Sequence, residues 1–271
     1  MVLFAFSSNP GNGYVVSCGT DTAWQSIPEG LSDKIKATAA ANDTVLSISV
    51  GKNDWFINTS SSVCCSQSGA VMTFLSSAEA QNNNIRLADI EQFVFMPNTP
   101  TGYFCATANR QMWSGLPKSM ADNIRLSSSK SDIRCVAVGA GEQWIIVRED
   151  GSFAFSGISD DLAKTLKEYR AASKNIKYIT FSVDKADYYF VEFEDGSTLY
   201  LFPTSWQPQI REYTNKSQDM AIEQSNRRNA GSASARMASN ARSAALLDLA
   251  TFNAEVQMLR NAETCARMAL I

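Results

Sequence analysis

The chain has 271 residues, 45% of them apolar and 19% charged, with a formal net charge of −3. That is room for one large or two ordinary domains, and a mildly acidic chain without a lysine or arginine cluster is ill suited to wrapping nucleic acid, whose affinity rests on neutralised phosphates. Histidine is absent, which removes Ser-His-Asp and Cys-His catalysis and every histidine-containing metal site.

Residues 1–6 look superficially like a signal core, but they lack a basic flank and end at Ser7 to Pro10, so they read as a first strand. From there a unit recurs about five times, marked by Tyr14, Trp55, Tyr103, Trp144 and Tyr188 at steps of 41, 48, 41 and 44 residues. Such a period belongs to stacked repeats. In the first unit Trp24 leads into Ile27-Pro28 and Leu31; in the third, Trp113 leads into Leu116-Pro117 and Met120. A third copy, Phe155 to Leu162, has Ser159 where the others have proline. All three predict a helix start, with proline in the first turn or serine as the cap. The third helix continues through Leu162, Leu166 and Tyr169 on one face.

Upstream of each helix the period is two. Ile133 to Val138, Trp144 to Val147 and Phe153 to Phe155 predict three strands, separated by a turn at Gly139 to Gly141 and a hairpin at Asp150-Gly151. Ile176 to Phe181, Tyr188 to Phe193 and Ser197 to Phe202 repeat this around Asp195-Gly196, with Ser205 as the cap of a weaker helix. The unit around Trp55 is the most degraded and carries Ser60 to Ser62 where Asp-Gly would stand. The expected unit boundaries are 2–43, 44–89, 90–131, 132–174 and 175–217. Each is three antiparallel strands plus a short helix, too small to bury its apolar face alone. The fold class is therefore mainly β with short helices, about five repeats closing into a propeller-like ring. An open solenoid competes, but neither end is polar enough to cap one.

At Trp113 to Met120 and Trp144 to Ser152 the chain resembles a loose group of uncharacterised repeat proteins from eukaryotic microbes, built from Trp-x-Gly-Leu-Pro-x-x-Leu helix starts and Trp-hydrophobic-Val-x-x-Asp-Gly-Ser hairpins. The resemblance covers residues 2 to 217 and departs at the Trp55 unit. It implies a repeat platform and carries no reaction, catalytic residue or cofactor.

After residue 217 the composition turns to alanine, serine, asparagine and arginine without proline, dividing a repeat domain (1–217) from a helical tail (218–271). A helix is expected from Asp219, broken near Gly231, with a coiled-coil stripe of Leu249, Phe252, Val256, Leu259 and Leu270. An isolated helix is marginal in water, so this segment either packs on its own domain or builds a homo-oligomer through residues 219–271.

No catalytic, cofactor or metal site is expected. The six cysteines lack zinc or redox spacings and read as reduced thiols of a cytoplasmic protein, and no apolar run is long enough to span a membrane. Glu149, Asp150, Glu194 and Asp195 sit at hairpins, where aspartate serves the turn. The expected function is a non-catalytic structural or interaction platform that self-associates through its tail and binds other proteins. One alternative is a lectin-like carbohydrate binder with Trp24 and Trp113 as ligand-facing residues. The repeated aromatics, however, have apolar neighbours that favour a core role. The second alternative is a hydrolase with a carboxylate pair.

Overall fold

A computed structural model describes residues 1–7, 13–52, 54–67, 69–126 and 132–223. A compact unit spans Met1–Ala221, and the stripe from Leu249 to Leu270 lies outside the described residues. Five three-stranded antiparallel sheets follow one another along the chain, each with its strands in sequence order. They are β1 (Val2–Ser7), β2 (Gly13–Cys18) and β3 (Asp21–Gln25); β4 (Val45–Val50), β5 (Trp55–Thr59) and β6 (Val63–Cys65); and β7 (Ile90–Phe95), β8 (Tyr103–Thr107) and β9 (Arg110–Ser114). The last two are β10 (Ile133–Val138), β11 (Trp144–Arg148) and β12 (Phe153–Ser156); and β13 (Ile176–Phe181), β14 (Tyr189–Phe193) and β15 (Thr198–Leu201).

Helices α1 (Glu29–Ala40), α4 (Lys118–Arg125) and α5 (Asp160–Ala171) follow the first, third and fourth sheets. The degraded Trp55 unit forms a full sheet and is followed by two short helices, α2 (Ala70–Leu75) and α3 (Ala78–Asn82). Its missing Asp-Gly hairpin is replaced by a device the repeat pattern hides. Asp43 is buried and accepts hydrogen bonds from the Ser60, Ser61 and Thr59 hydroxyls and from the Thr44 amide. Those donors hold its carboxyl well below the usual carboxylate range.

The helix starts also differ in detail from the expectation. Ser159 caps α5 by accepting from the Leu162 amide at 3.3 Å. Pro28 and Pro117 occupy the same cap position rather than the first turn, with extended ψ of 138° and no side-chain cap bond. In the fifth unit this place belongs to Pro203, which precedes a 3-10 turn at Thr204–Trp206, and Ser205 lies inside that turn. The α-helix α6 then runs over 207–221 of the compact unit, so Asp219 is inside a helix and starts none.

Two residues before Pro28, Pro117 and Ser159 the backbone is left-handed, at Ser26 (φ 49°), Gly115 (φ 66°) and Gly157 (φ 72°). A Cβ on Gly157 would stand 3.1 Å from the Gln143 Cα, so Gly157→Ala is expected to cost about 1–3 kcal/mol. Ser26→Gly should change stability by under about 1 kcal/mol, because relief of strain and a looser unfolded chain oppose each other. Calorimetry of both variants checks the contrast.

The middle strands are buried on both faces, and alternate residues go to different cores. Ile145 and Val147 pack with α5 and the fifth sheet, while Trp144 and Ile146 pack with α4 and the third. The same alternation sends Cys64 toward the first sheet and Cys65 toward the third, which is why these neighbours do not pair; the described cysteines are free thiols. One core fills each junction of consecutive sheets. Leu31 and Ile35 of α1 sit between the first and second, Phe74 of α2 between the second and third. A fifth core joins Val2, Phe4 and Tyr14 of the first sheet to Phe190 and Phe202 of the last unit, under Trp206, Ile210 and Tyr213. There Phe4 stacks on Phe190 at 5.1 Å and on Phe202 at 5.7 Å. From α6, Lys216 pairs with Asp21 at 2.9 Å, and Ser217 donates to buried Glu192 at 2.8 Å.

Candidate functional site

The first strands of four sheets share an irregularity. Pairing with the second strand slips between Val45 and Ser47, Ile90 and Gln92, Ile133 and Cys135, and Ile176 and Tyr178. Each slip is a β-bulge that re-aims one residue and frees backbone groups from the ladder. The bulged residues are Leu46, Glu91, Arg134 and Lys177. Together with Met1 and Leu3 they line a recess of about 360 Å³ that touches the first strand of every sheet. Its floor carries Ser47, Gln92, Cys135 and Tyr178. Beyond Ser47, Gln92 and Tyr178 only about 50 Å³ of space remains between Ser49, Val94, Ala137 and Thr180. That is room for one or two waters and not for a substrate.

Side-chain hydrogen bonds link four pairs of neighbouring sheets. The Asn58 amide donates to the Ile90 carbonyl at 3.3 Å, Gln92 to Val136 at 3.4 Å, and Arg134 to Ile176 at 3.2 Å. The Tyr178 hydroxyl donates to the Phe4 carbonyl at 2.7 Å, from the fifth sheet to the first. Two of the acceptors, Ile90 and Ile176, stand at bulges.

Arg134 is the most constrained charge in the recess. Its Nε and Nη2 donate to Glu149 Oε2 at 3.1 and 3.0 Å, and Nη2 also reaches the Glu149 carbonyl at 3.2 Å. Nη1 donates to Glu194 Oε1 at 2.5 Å as well as to Ile176, so all five N–H groups are engaged. Partial burial favours the neutral form of Glu194, but hydrogen bonds from Arg134 and Asn175 outweigh it and hold the carboxyl below its ordinary value. Lys177 lies 3.6 Å from Glu192, a carboxylate with no exposed surface. Among the described residues Glu192 Oε2 has no hydrogen-bond partner. Burial pushes the Cys135 thiol up to about 12 and raises the Tyr178 phenol, so at neutral pH neither is an anionic nucleophile.

The hairpin acids divide by role. Asp150 and Asp195 each accept the backbone amide two residues on, at 2.7 and 2.9 Å, as turn chemistry requires. Glu149 and Glu194 instead bracket Arg134, a use that hairpin reasoning passed over. Trp24 and Trp113 are both half-buried on β3 and β9 against the junction cores. The Arg125 guanidinium lies 5.9 Å from the Trp113 ring centroid, and neither tryptophan lines the recess. Among the described residues no group of three or more acidic or thiol ligands could hold a metal ion, and no described helix is long and apolar enough to cross a membrane.

The bulges have a signal in the sequence. Val45 and Ile48, Ile90 and Phe93, Ile133 and Val136, and Ile176 and Ile179 are apolar pairs spaced three apart at the head of strands that otherwise alternate by two. A slip of one residue in a period-two pattern is what a bulge writes. Comparison of the chain with protein-family models and with characterised proteins gives no match.

Proposed function

We propose that this protein is a non-catalytic interaction platform: a propeller-like ring of five sheets whose recess receives a partner, with self-association through residues 219–271. The repeat-protein group with the same helix-start and hairpin patterns is its proposed kin. The observation that carries the reading is the fifth junction. Phe4, Tyr14, Phe190 and Trp206 are as fully buried there as the residues of the other four junctions, with ring contacts at 5.1 and 4.8 Å. An open array would leave those faces bare, at about 25 cal/mol for each Å² of apolar surface exposed. The recess chemistry favours binding over turnover, because the Arg134 donors are all engaged and the Cys135 thiol stays protonated at neutral pH.

Two measurements test the reading. Small-angle scattering of residues 1–221 should give a radius of gyration of about 17 Å, the value for a compact chain of that length; a clearly larger value would refute the ring. Light scattering should give a higher mass per particle for the full chain than for 1–221 in multiples of the monomer. Equal, monomeric states would refute assembly through the tail.

A further inference from the structure

The charges in the recess are unequal in their commitments. Arg134 has no donor left for a ligand. Lys177 is, among the described residues, the ion-pair partner of fully buried Glu192, and drawing it away would leave that carboxylate with the Ser217 hydroxyl. Glu91 differs. It is exposed, and among the described residues it has neither an ion-pair nor a hydrogen-bond partner. Among the charged side chains described in the recess, Glu91 is therefore the one left uncommitted for an incoming ligand.

Beside the committed Arg134 and Lys177, part of the wall is apolar. Leu46 is 47% exposed and Met1 39%, and Ile133, Leu3 and Ala106 complete this apolar part. A bulge presents Leu46 to solvent against the usual preference for burying leucine. Glu91 also belongs to an adjoining groove of about 380 Å³ lined by Asn83, Asn84, Thr107 and Asn109 together with Arg110 and with Asp89, which is paired with Arg86. The groove's side-chain amides and hydroxyl can meet both the donors and the acceptors of an extended backbone.

From this complementarity we propose that the recess takes a basic, apolar peptide segment of a partner protein. A lysine or arginine side chain lays its aliphatic stem along Leu46 and Ile133 and sets its charged head against Glu91, while the peptide backbone leaves through the asparagine-lined groove. This rests on the platform reading and adds the chemistry of the partner. Aliphatic stems with cationic heads suit a site that is apolar on one side and acidic on the other.

The test is fluorescence anisotropy on the full chain with three labelled heptapeptides that alternate leucine with lysine, with glutamate or with norleucine. The lysine peptide should bind saturably, the glutamate peptide at least about tenfold more weakly, and the norleucine peptide in between. Glu91→Lys should weaken the lysine peptide about tenfold and Glu91→Gln by less, while far-UV circular dichroism stays unchanged because the residue is exposed. Leu46→Ser should weaken the lysine and norleucine peptides alike. Equal binding of lysine and glutamate peptides, indifference to Glu91→Lys, or no saturable binding at millimolar peptide would each overturn the proposal. If scattering still shows a compact unit, that failure is of the peptide chemistry alone; an extended array would sink the platform reading as well.

Discussion

Phe4→Ala is expected to destabilise the protein by about 3–5 kcal/mol, as much as truncating an aromatic at an internal junction such as Phe93→Ala. Phe4 has no exposed surface, and its ring stacks on Tyr14, Phe190 and Phe202 and meets Phe6 edge-on at 4.8 Å. Truncation would leave a cavity walled by four rings whose backbones belong to β-strands and a proline-led turn, so collapse to fill it is limited. For a chain of this size each kcal/mol is worth about 2–4 °C in Tm, so calorimetry should find both variants displaced together. The comparison between the two is the informative part. A Phe4→Ala shift below about 1 kcal/mol beside a full Phe93→Ala effect would mean that the first and last sheets do not meet in solution.

The second large effect is expected at Arg134. Arg134→Met removes charge-assisted hydrogen bonds to Glu149 and Glu194 and leaves two like charges near one recess. The expected loss is about 2–3 kcal/mol at neutral pH, discounted because both glutamates are half exposed. Its pH dependence follows from Glu194, whose folded-state pKa is depressed. A depressed carboxylate contributes stability above its unfolded pKa of about 4.3 and loses it as pH falls through the lower folded value. The native protein should therefore lose stability on acidification below about pH 5, and Arg134→Met should lose less over the same interval, so the two curves converge. Denaturant titrations at pH 7 and at pH 3 to 4 measure this; parallel curves would show that the Arg134 bridges contribute nothing.

Much of the architecture was legible in the residues. Period-two runs gave β10, β11, β13 and β14 nearly to the residue, and the Trp-to-Pro spacing gave the starts of α1 and α4, because both signals are local and repeat. The cap at Pro203 was legible too, as an apolar-proline pair like Ile27-Pro28, but a nearby serine drew attention from it. The second sheet was harder to read. Its turn is closed by Asp43 from across the hairpin, and no local rule expects the partner of Ser60 to lie 17 residues upstream.

The candidate site shows the same division. Glu149 and Glu194 could be found as hairpin acids, and Arg134 as a strand residue, but 60 positions separate Arg134 from Glu194. Only stacking of the fourth sheet on the fifth makes them partners. Glu91 reads as an ordinary surface charge until the bulge and the neighbouring strands show that it faces a recess and, among the described residues, has no ion-pair or hydrogen-bond partner.

By itself, then, the sequence determined the repeat, the hairpins, the helix starts and the lack of histidine chemistry, all of which depend on residues close together in the chain. The tertiary structure decided which repeats touch, that four first strands slip by one residue in step, and that two of the charges so gathered, Arg134 and Lys177, are committed while Glu91 is left over. Those outcomes depend on side chains tens to nearly two hundred residues apart, as between Tyr178 and Phe4, where only packing can choose the partner.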